Sequence, residues 1–397
     1  LYFRVCLIDC IMYDAIVIGT GPAGSTAARH IAAAGLDTLI VEKEALPRVK
    51  TCGGELSEYA LSNLGLTLPN SLIERECFCA RIRYRTCSLE SEACERLSVM
   101  VSRDKLDHHL ANCAVDTGAE LVDDVRVRSV RTDDDCVVVE STEGTVRSKV
   151  VIGADGVNSV CAKNVRPPFT PQEICFALEA EIPASNECID EYILNKGEFH
   201  FGVVPKGYGW VFPKDGHFSV GIANRSQDFS RPMDAYLSFI KGLGFDHANV
   251  KPRGHFLPIG GLDRKTYANR ILLVGDAAGY VDAFLGEGMA YAIASGNMAA
   301  ETVIEAYRKD DFSQVSLSSY HKRCMDSFLP NLKYSYVFSE IFYRFPNLTS
   351  RILVNNEIVL NKFIYLAKGR LGYLSFMKWV APRLPYYLIK DAIGRRC

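Results

Sequence analysis

Apolar positions change period several times along this chain, and each change predicts an element. Ala15-Ile16-Val17-Ile18 is a short, β-branched apolar run of the kind found in strands buried on both faces. Apolar residues then recur at helical spacing from about Ala23 to Ala34. Gly35 stops that helix, and Thr38–Val41 reads as a second buried strand. Helical spacing returns at Ser57–Leu64. Residues 73–100 alternate strand-like segments with charges, as in Ala80-Arg81-Ile82-Arg83-Tyr84-Arg85. Ser102 is positioned to cap a helix that runs to Gly118. Strands are predicted at Glu120–Val122, Val125–Thr132 and Cys136–Ser141, with Glu143-Gly144 as a hairpin turn. Another buried strand starts at Lys149 and enters a loop at Gly153-Ala154-Asp155-Gly156.

Residues 174–260 have a different character. Short alternating runs at Ile174–Ile182, Glu191–Leu194, His200–Pro205, Tyr208–Pro213 and Phe218–Asn224 predict a largely antiparallel sheet, interrupted by a helix near Met233–Leu243. A buried run, Ile271-Leu272-Leu273-Val274, then leads into Gly275-Asp276-Ala277-Ala278-Gly279 and a helix from about Gly288 to Lys309. Residues 313–397 read as helical and rich in aromatics. The expected fold class is α/β: a Rossmann-like dinucleotide domain, a second, largely antiparallel-sheet substrate domain, and a helical C-terminal region. The expected boundaries are 12–72, 101–168 and 266–310 for the first, 73–100 and 169–265 for the second, and 311–397 for the third.

The 397 residues are enough for two or three cores, and 48% hydrophobic with 23% charged residues is ordinary for a globular chain. A net charge of −2 gives no reason to expect nucleic acid as a partner. The fourteen cysteines are scattered, with no paired C-x-x-C, so they point to neither a zinc site nor a redox pair but to free thiols in a reducing compartment. No metal site is expected. Adjacent His108 and His109 point about 100° apart on a helix and read as a solvated face, as does the Arg81–Arg85 side of its strand. No apolar run reaches the roughly 18 residues of a spanning helix. Residues 1–11 lack a cleavage site, read as an extension ahead of Met12, and do not resemble a signal peptide.

The most specific chemistry lies in Tyr13–Glu42. Between strand and helix stands Gly19-Thr20-Gly21-Pro22-Ala23-Gly24, a full G-x-G-x-x-G, and the second strand closes on Glu42, eighteen residues after the last glycine. Gly19 permits the tight turn, Gly21 lets a pyrophosphate approach the backbone, and Gly24 lets helix and strand pack closely. The helix N-terminus offers free N–H groups to the phosphates, and Glu42 is placed to accept from ribose hydroxyls. This is a dinucleotide site.

Two further motifs stand in order after it: Gly153-Ala154-Asp155-Gly156-Val157-Asn158-Ser159 and Gly275-Asp276-Ala277-Ala278. Together the three resemble the FAD-dependent fold of aromatic hydroxylases, halogenases and prenyl reductases. Pro47-Arg48-Val49-Lys50-Thr51-Cys52-Gly53-Gly54 and Tyr208-Gly209-Trp210-Val211-Phe212-Pro213-Lys214 narrow the resemblance to the geranylgeranyl reductase family, over approximately residues 12–310. The cofactor implied is FAD. Its implied contacts are Gly19, Gly21, Ala23, Gly24, Glu42, Lys43, Cys52, Gly53, Arg103, Val127, Asp155, Asp276, Gly286, Gly288 and Met289. The chain departs from the family where a proline would follow the aspartate of the third motif: it reads Asp282-Ala283-Phe284-Leu285-Gly286-Glu287-Gly288.

The resemblance implies hydride transfer from reduced flavin to a polyprenyl C=C bond, with Cys52 as candidate proton donor and Tyr208 and Trp210 lining an apolar slot. The substrate implied is a polyprenyl lipid: an archaeal ether phospholipid, a chlorophyll-type geranylgeranyl group, or a polyprenyl quinone. The ether lipid is favoured because free thiols suit an anaerobic cell. No second G-x-G-x-x-G is present, so electrons are expected from transiently docked NAD(P)H or a ferredoxin-type carrier. A flavin monooxygenase or halogenase, and a non-enzymatic prenyl-binding protein, are the rival readings. Aromatics mixed with Lys and Arg from about Phe328 to Ile393 leave two roles open, a lid over the substrate domain or a membrane-surface contact. The expected location is cytoplasmic, peripheral at the inner face of the cell membrane.

Overall fold

The computed structural model describes residues 11–92, 95–225, 229–245 and 250–393. The expected N-terminal extension, apart from Ile11, lies outside the described residues. The first sheet follows the order Tyr267–Ala268, Ile271–Leu273, Thr145–Gly153, Met12–Ile18, Thr38–Val41, Glu120–Val122. From Ile271–Leu273 to Glu120–Val122 its strands run parallel, while Val137–Ser141 and Val127–Thr132 fold back antiparallel beside Thr145–Gly153. Ile16, Val17, Leu39, Ile40, Val151, Ile152 and Leu272 are fully enclosed, which is why these runs are apolar without alternation. Helix Pro22–Ala33 packs on Met289–Lys309 and on Arg103–Asp116.

The second sheet has seven strands in the order Arg253–Pro258, Ile174–Pro183, His217–Arg225, Gly207–Pro213, Lys196–Phe201, Cys79–Tyr84, Cys87–Glu92. All its pairings are antiparallel except Lys196–Phe201 with Cys79–Tyr84. A small sheet of Glu55–Ser57, Ser98–Met100 and Arg75–Cys77 sits apart from both. The fold is therefore the expected α/β class with a largely antiparallel second sheet and a helical C-terminal region.

Several local expectations are corrected. The predicted strand Glu191–Leu194 falls instead on the end of a helix, Asn186–Tyr192, whose N-cap Ser185 accepts from the Cys188 N–H at 3.3 Å. Ile189 and Ile193 bury one face of that turn, an i, i+4 spacing that a four-residue window reads as alternation. The strand expected at His200–Pro205 occupies Lys196–Phe201 and stops at Gly202, whose φ of +81° breaks the extended backbone. Ser102 holds the N-cap position of Arg103–Asp116, but its hydroxyl is bonded to Glu74 instead of the helix. Arg81 and Arg83 do not line a solvated strand face. Both pair with the enclosed carboxylate of Glu198, at 2.8 and 2.9 Å, and His200 meets the same group at 2.6 Å. Burial opposes ionisation of Glu198, but these partners outweigh it and hold the carboxyl low. Cys87 is disulfide-bonded, while Cys52, Cys77 and Cys161 are among the many expected free thiols.

The tail is helical from Gln314–Ser327 through Leu329–Arg344, Pro346–Val354, Glu357–Ala367, Tyr373–Val380 and Leu384–Ile393. Its buried aromatics, Phe342, Phe363, Tyr373 and Phe376, close over Phe284 and Phe201, so much of this region is a lid. Ile341, Phe345, Ile358, Tyr365, Tyr386 and Ile389 face outward. No described helix is long and apolar enough to cross a membrane.

Candidate active site

The first glycine loop is built by close approach. A Cβ at Gly19, where φ is +105°, would lie 2.4 Å from the Ala154 carbonyl oxygen, and one at Gly24 would lie 2.0 Å from the Gly19 carbonyl. Both positions need glycine for packing alone. Gly21 is different: nothing of the protein stands closer to a Cβ there than the Arg48 guanidinium at 4.0 Å. Helix Pro22–Ala33 begins directly behind it, without a side-chain cap or an acidic residue in its first turn. Its free N–H groups and positive dipole end therefore face open space, a cradle that fits a pyrophosphate.

Glu42 stands at the end of the neighbouring strand. Thr20 donates to it through N–H at 2.9 Å and hydroxyl at 2.6 Å, and Arg48 pairs with it at 3.2 Å. Burial opposes its ionisation, but Arg48 and the Thr20 hydrogen bonds outweigh burial and hold it below the usual carboxylate range. Arg48 also reaches Asp107 at 3.2 Å, and Asp107 binds Arg103 through two 2.8 Å bonds. One chain of charges thus links the glycine loop to the helix carrying Arg103.

From Gly21 a connected cavity of about 230 Å³ runs between the two sheets. It brings together Gly21, Ala23, Cys52, Gly53, Arg103, Tyr208, Trp210, Asp276, Gly286, Gly288 and Met289. Other expected contacts lie off it. Gly19, Gly24 and Glu42 stand behind the loop, Lys43 is exposed, and Val127 is packed into the core of the first sheet. Asp155 turns away and accepts from the N–H groups of Val160, at 2.6 Å, and Cys161, at 3.3 Å. Its neighbours Ala154 and Gly156 face the cavity in its place.

Aromatic side chains form the far wall. Trp210 donates its indole N–H to Ser219 at 3.3 Å and lies flat over Gly221, where a Cβ would overlap the ring at 2.1 Å. The Cys52–Gly54 loop packs on this wall: a Cβ at Gly53 would meet Phe212 at 2.9 Å and the Trp210 nitrogen at 3.1 Å. Tyr208 donates to the Leu285 carbonyl, pinning the aromatic strand to the Gly286–Gly288 loop. Lys214, the last residue of the same motif, is a clasp; its ammonium donates to the Val101 carbonyl at 2.6 Å, next to Gly54.

Asp276 meets Lys50 at 3.2 Å and His255 at 4.0 Å. Burial raises its pKa, yet Lys50 and His255 prevail and keep it well below the carboxylate range. Three more carboxyls on the cavity wall escaped sequence reading: Glu55, Glu179 and Glu287. Desolvation raises all three, Glu179 to about 7 and Glu287 to about 8, while hydrogen bonds from Ser98, Ser219 and Ser57 respectively offset part of the effect for Glu55, Glu179 and Glu287. Only Glu287 had a visible signal, its place between two glycines of a motif already marked.

The family described as "FAD binding domain" matches residues 12–328. A digeranylgeranylglycerophospholipid reductase of Methanosarcina acetivorans is 33% identical, over 79% of this chain and 80% of its own length. One from Methanopyrus kandleri is 31% identical over 84% of this chain and 88% of its own. Among solved structures, a geranylgeranyl bacteriochlorophyll reductase-like protein from Thermoplasma acidophilum superposes with a TM-score of 0.75 at 24% identity, covering 96% of this chain and 98% of that one. The halogenase PltM with bound FAD shares the fold at a TM-score of 0.68 and 17% identity, over 89% of this chain and 81% of its own. With the open glycine cradle, the apolar cavity and these relatives in view, the chain belongs to the geranylgeranyl reductase family of FAD-dependent oxidoreductases.

Proposed function

We propose that this protein hydrogenates the isolated C=C bonds of polyprenyl (geranylgeranyl) chains, the substrate being an archaeal ether membrane lipid. The observation that carries the reading is the continuity of one cavity from Gly21, past Trp210 and Phe212, to Ile364 and Ala367 of the C-terminal lid. Such a passage admits a long apolar chain from outside and ends it beside the cofactor loops. The names of the relatives support the lipid. In this reading segments 12–72, 101–168 and 266–310 hold the cofactor, 73–100 and 169–265 shape the substrate side, and 311–397 cover it. Gly19, Gly21, Ala23 and Gly24 hold the pyrophosphate, Glu42, Lys43 and Val127 flank the adenosine side, and Arg103, Asp155, Asp276, Gly286, Gly288 and Met289 surround the rest of the cofactor.

Bound and reduced, FAD supplies a hydride. The chain's own residues supply dryness, orientation and a proton: Tyr208, Trp210 and Phe212 exclude water, while Cys52 and Gly53 set the floor of the slot. Electrons come from NAD(P)H or a ferredoxin-type carrier. The outward residues Phe345, Tyr365 and Tyr386, interspersed with Lys362, Arg383 and Lys390, bring the protein to a lipid surface at the inner face of the membrane. The test is incubation of dithionite-reduced holoprotein with extracted lipids, followed by mass spectrometry. Mass gains of one H₂ per reduced bond are expected. Oxygen-dependent turnover of an aromatic substrate, with lipids unchanged, would replace this reading by the monooxygenase or halogenase one that the PltM-like fold also accommodates. Sedimentation with anionic vesicles that weakens as salt screens the charges checks the surface contact.

A further inference from the structure

We infer that Glu287 is the proton donor to the alkene, an assignment that rests on the prenyl-reductase reading above. Glu287 lies between Gly286 and Gly288, and all three line the cavity that Tyr208 and Trp210 also face. Its loop is held rigid: the Asp282 N–H donates to the Glu287 carbonyl at 2.9 Å and the Gly286 N–H to the Asp282 carbonyl at 3.1 Å. The carboxyl is bonded to the Ser57 hydroxyl, and Ser57 shares its short strand with Glu55. Among the described residues no Lys, Arg or His lies within 4.0 Å of the Glu287 or Glu55 carboxyl. A half-buried carboxylate facing an apolar cavity without a cation is costly to ionise, and two facing one space are costlier, so the group stays neutral and carries a transferable proton. Burial does most to keep Glu287 protonated, with Asp282 and Glu55 adding repulsion.

Reduction of the bond balances as follows. The π pair of the alkene forms a C–H bond to the Glu287 proton, the other carbon takes hydride from the reduced cofactor, and the carboxylate left behind recovers a proton from water. Repulsion from Asp282 and Glu55 drives that recovery. Cys52 also lines the wall, its sulfur accepting from the Gly54 N–H at 3.4 Å, and Glu179 lines it bonded to Ser219 at 3.0 Å.

The test uses FAD-loaded wild type, Glu287→Gln and Cys52→Ser. Each is reduced anaerobically by dithionite and mixed with a geranylgeranyl lipid, while flavin reoxidation and product mass are followed. Glu287→Gln is expected to bind FAD and accept dithionite electrons normally, and to reduce lipid about 100-fold more slowly or worse, the range of a positioned general acid. Cys52→Ser alters the floor of the slot and is expected to slow lipid reduction, but less than Glu287→Gln does. Infrared difference spectra should show a protonated-carboxyl band at pH 7 in wild type that is missing in Glu287→Gln. Wild-type turnover by Glu287→Gln, or a loss confined to Cys52→Ser, overturns the assignment and leaves the prenyl-reductase reading intact. A wild type whose flavin no polyprenyl lipid reoxidises overturns both. If Glu287→Gln fails to hold FAD, the FAD-free wild type and variant are compared, and an unchanged protonated-carboxyl band at pH 7 overturns the assignment.

Discussion

Phe284 joins the cofactor loop to the C-terminal lid, and truncating it tests whether that lid is part of the fold or an appendage. The ring is 2% exposed and lies 4.8 Å from the centroids of both Phe338 and Phe342, in edge-on contact. It stacks on Phe201 at 5.8 Å and touches Phe363 at 5.8 Å. Phe284→Ala removes a buried ring, at a cost of about 3–5 kcal/mol. Unfolding entropy of about 2.1 cal/mol/K per residue, over 397 residues, gives about 0.8 kcal/mol/K for the whole chain. If lid and body melt together, the transition falls by about 4–6 °C. If the lid melts alone the same loss is spread over far fewer residues, and its transition falls several times further. Differential scanning calorimetry of the holoprotein separates the cases, and limited proteolysis reports whether cleavage moves into residues 338–376. A shift under about 1 °C, with an unchanged cleavage pattern, would refute the packing argument.

Three other perturbations have defined outcomes. Gly24→Ala places a Cβ 2.0 Å from the Gly19 carbonyl, so the helix must move off the strand and FAD affinity should fall at least about tenfold in a fluorescence titration. Glu42→Ala should weaken FAD by about 1.5–3 kcal/mol per lost charge-assisted bond; FAD affinity equal to wild type would remove Glu42 from the ribose site. Glu287 ordinarily ionises near 4.5 but near 8 in the fold, so the folded protein holds a proton that the unfolded chain has lost. Its contribution to stability is therefore complete below about pH 4.5 and declines by about 1.4 kcal/mol per pH unit towards pH 8. Denaturant titrations at pH 5 and pH 8 should show Glu287→Gln gaining on wild type at the higher pH, and parallel behaviour of the two would contradict the raised pKa.

What the sequence alone determined is what depends on neighbours along the chain. The strand at Met12–Ile18, the turn at Gly19 and the helix behind Pro22 were legible because apolar periodicity and glycine spacing act within a few residues. The same holds for Tyr208–Pro213, whose alternation matches its place in the second sheet, and for the aromatic excess of the tail. Where local signals compete, the window misleads: Ile189 and Ile193 belong to a helix turn because Ser185 caps it, not to a strand. Tertiary structure decided everything that depends on charges meeting across the chain. Arg81 and Arg83 look like solvent residues until Glu198 arrives from a strand more than a hundred residues later. Arg48 bridges Glu42 and Asp107, and Lys214 clasps Val101, in ways no spacing rule contains. Glu55, Glu179 and Glu287 come from three distant segments to one cavity. A glutamate in sequence carries a surface prior, and only the surrounding dielectric and the missing counter-charge, both set by packing, turn it into an acid.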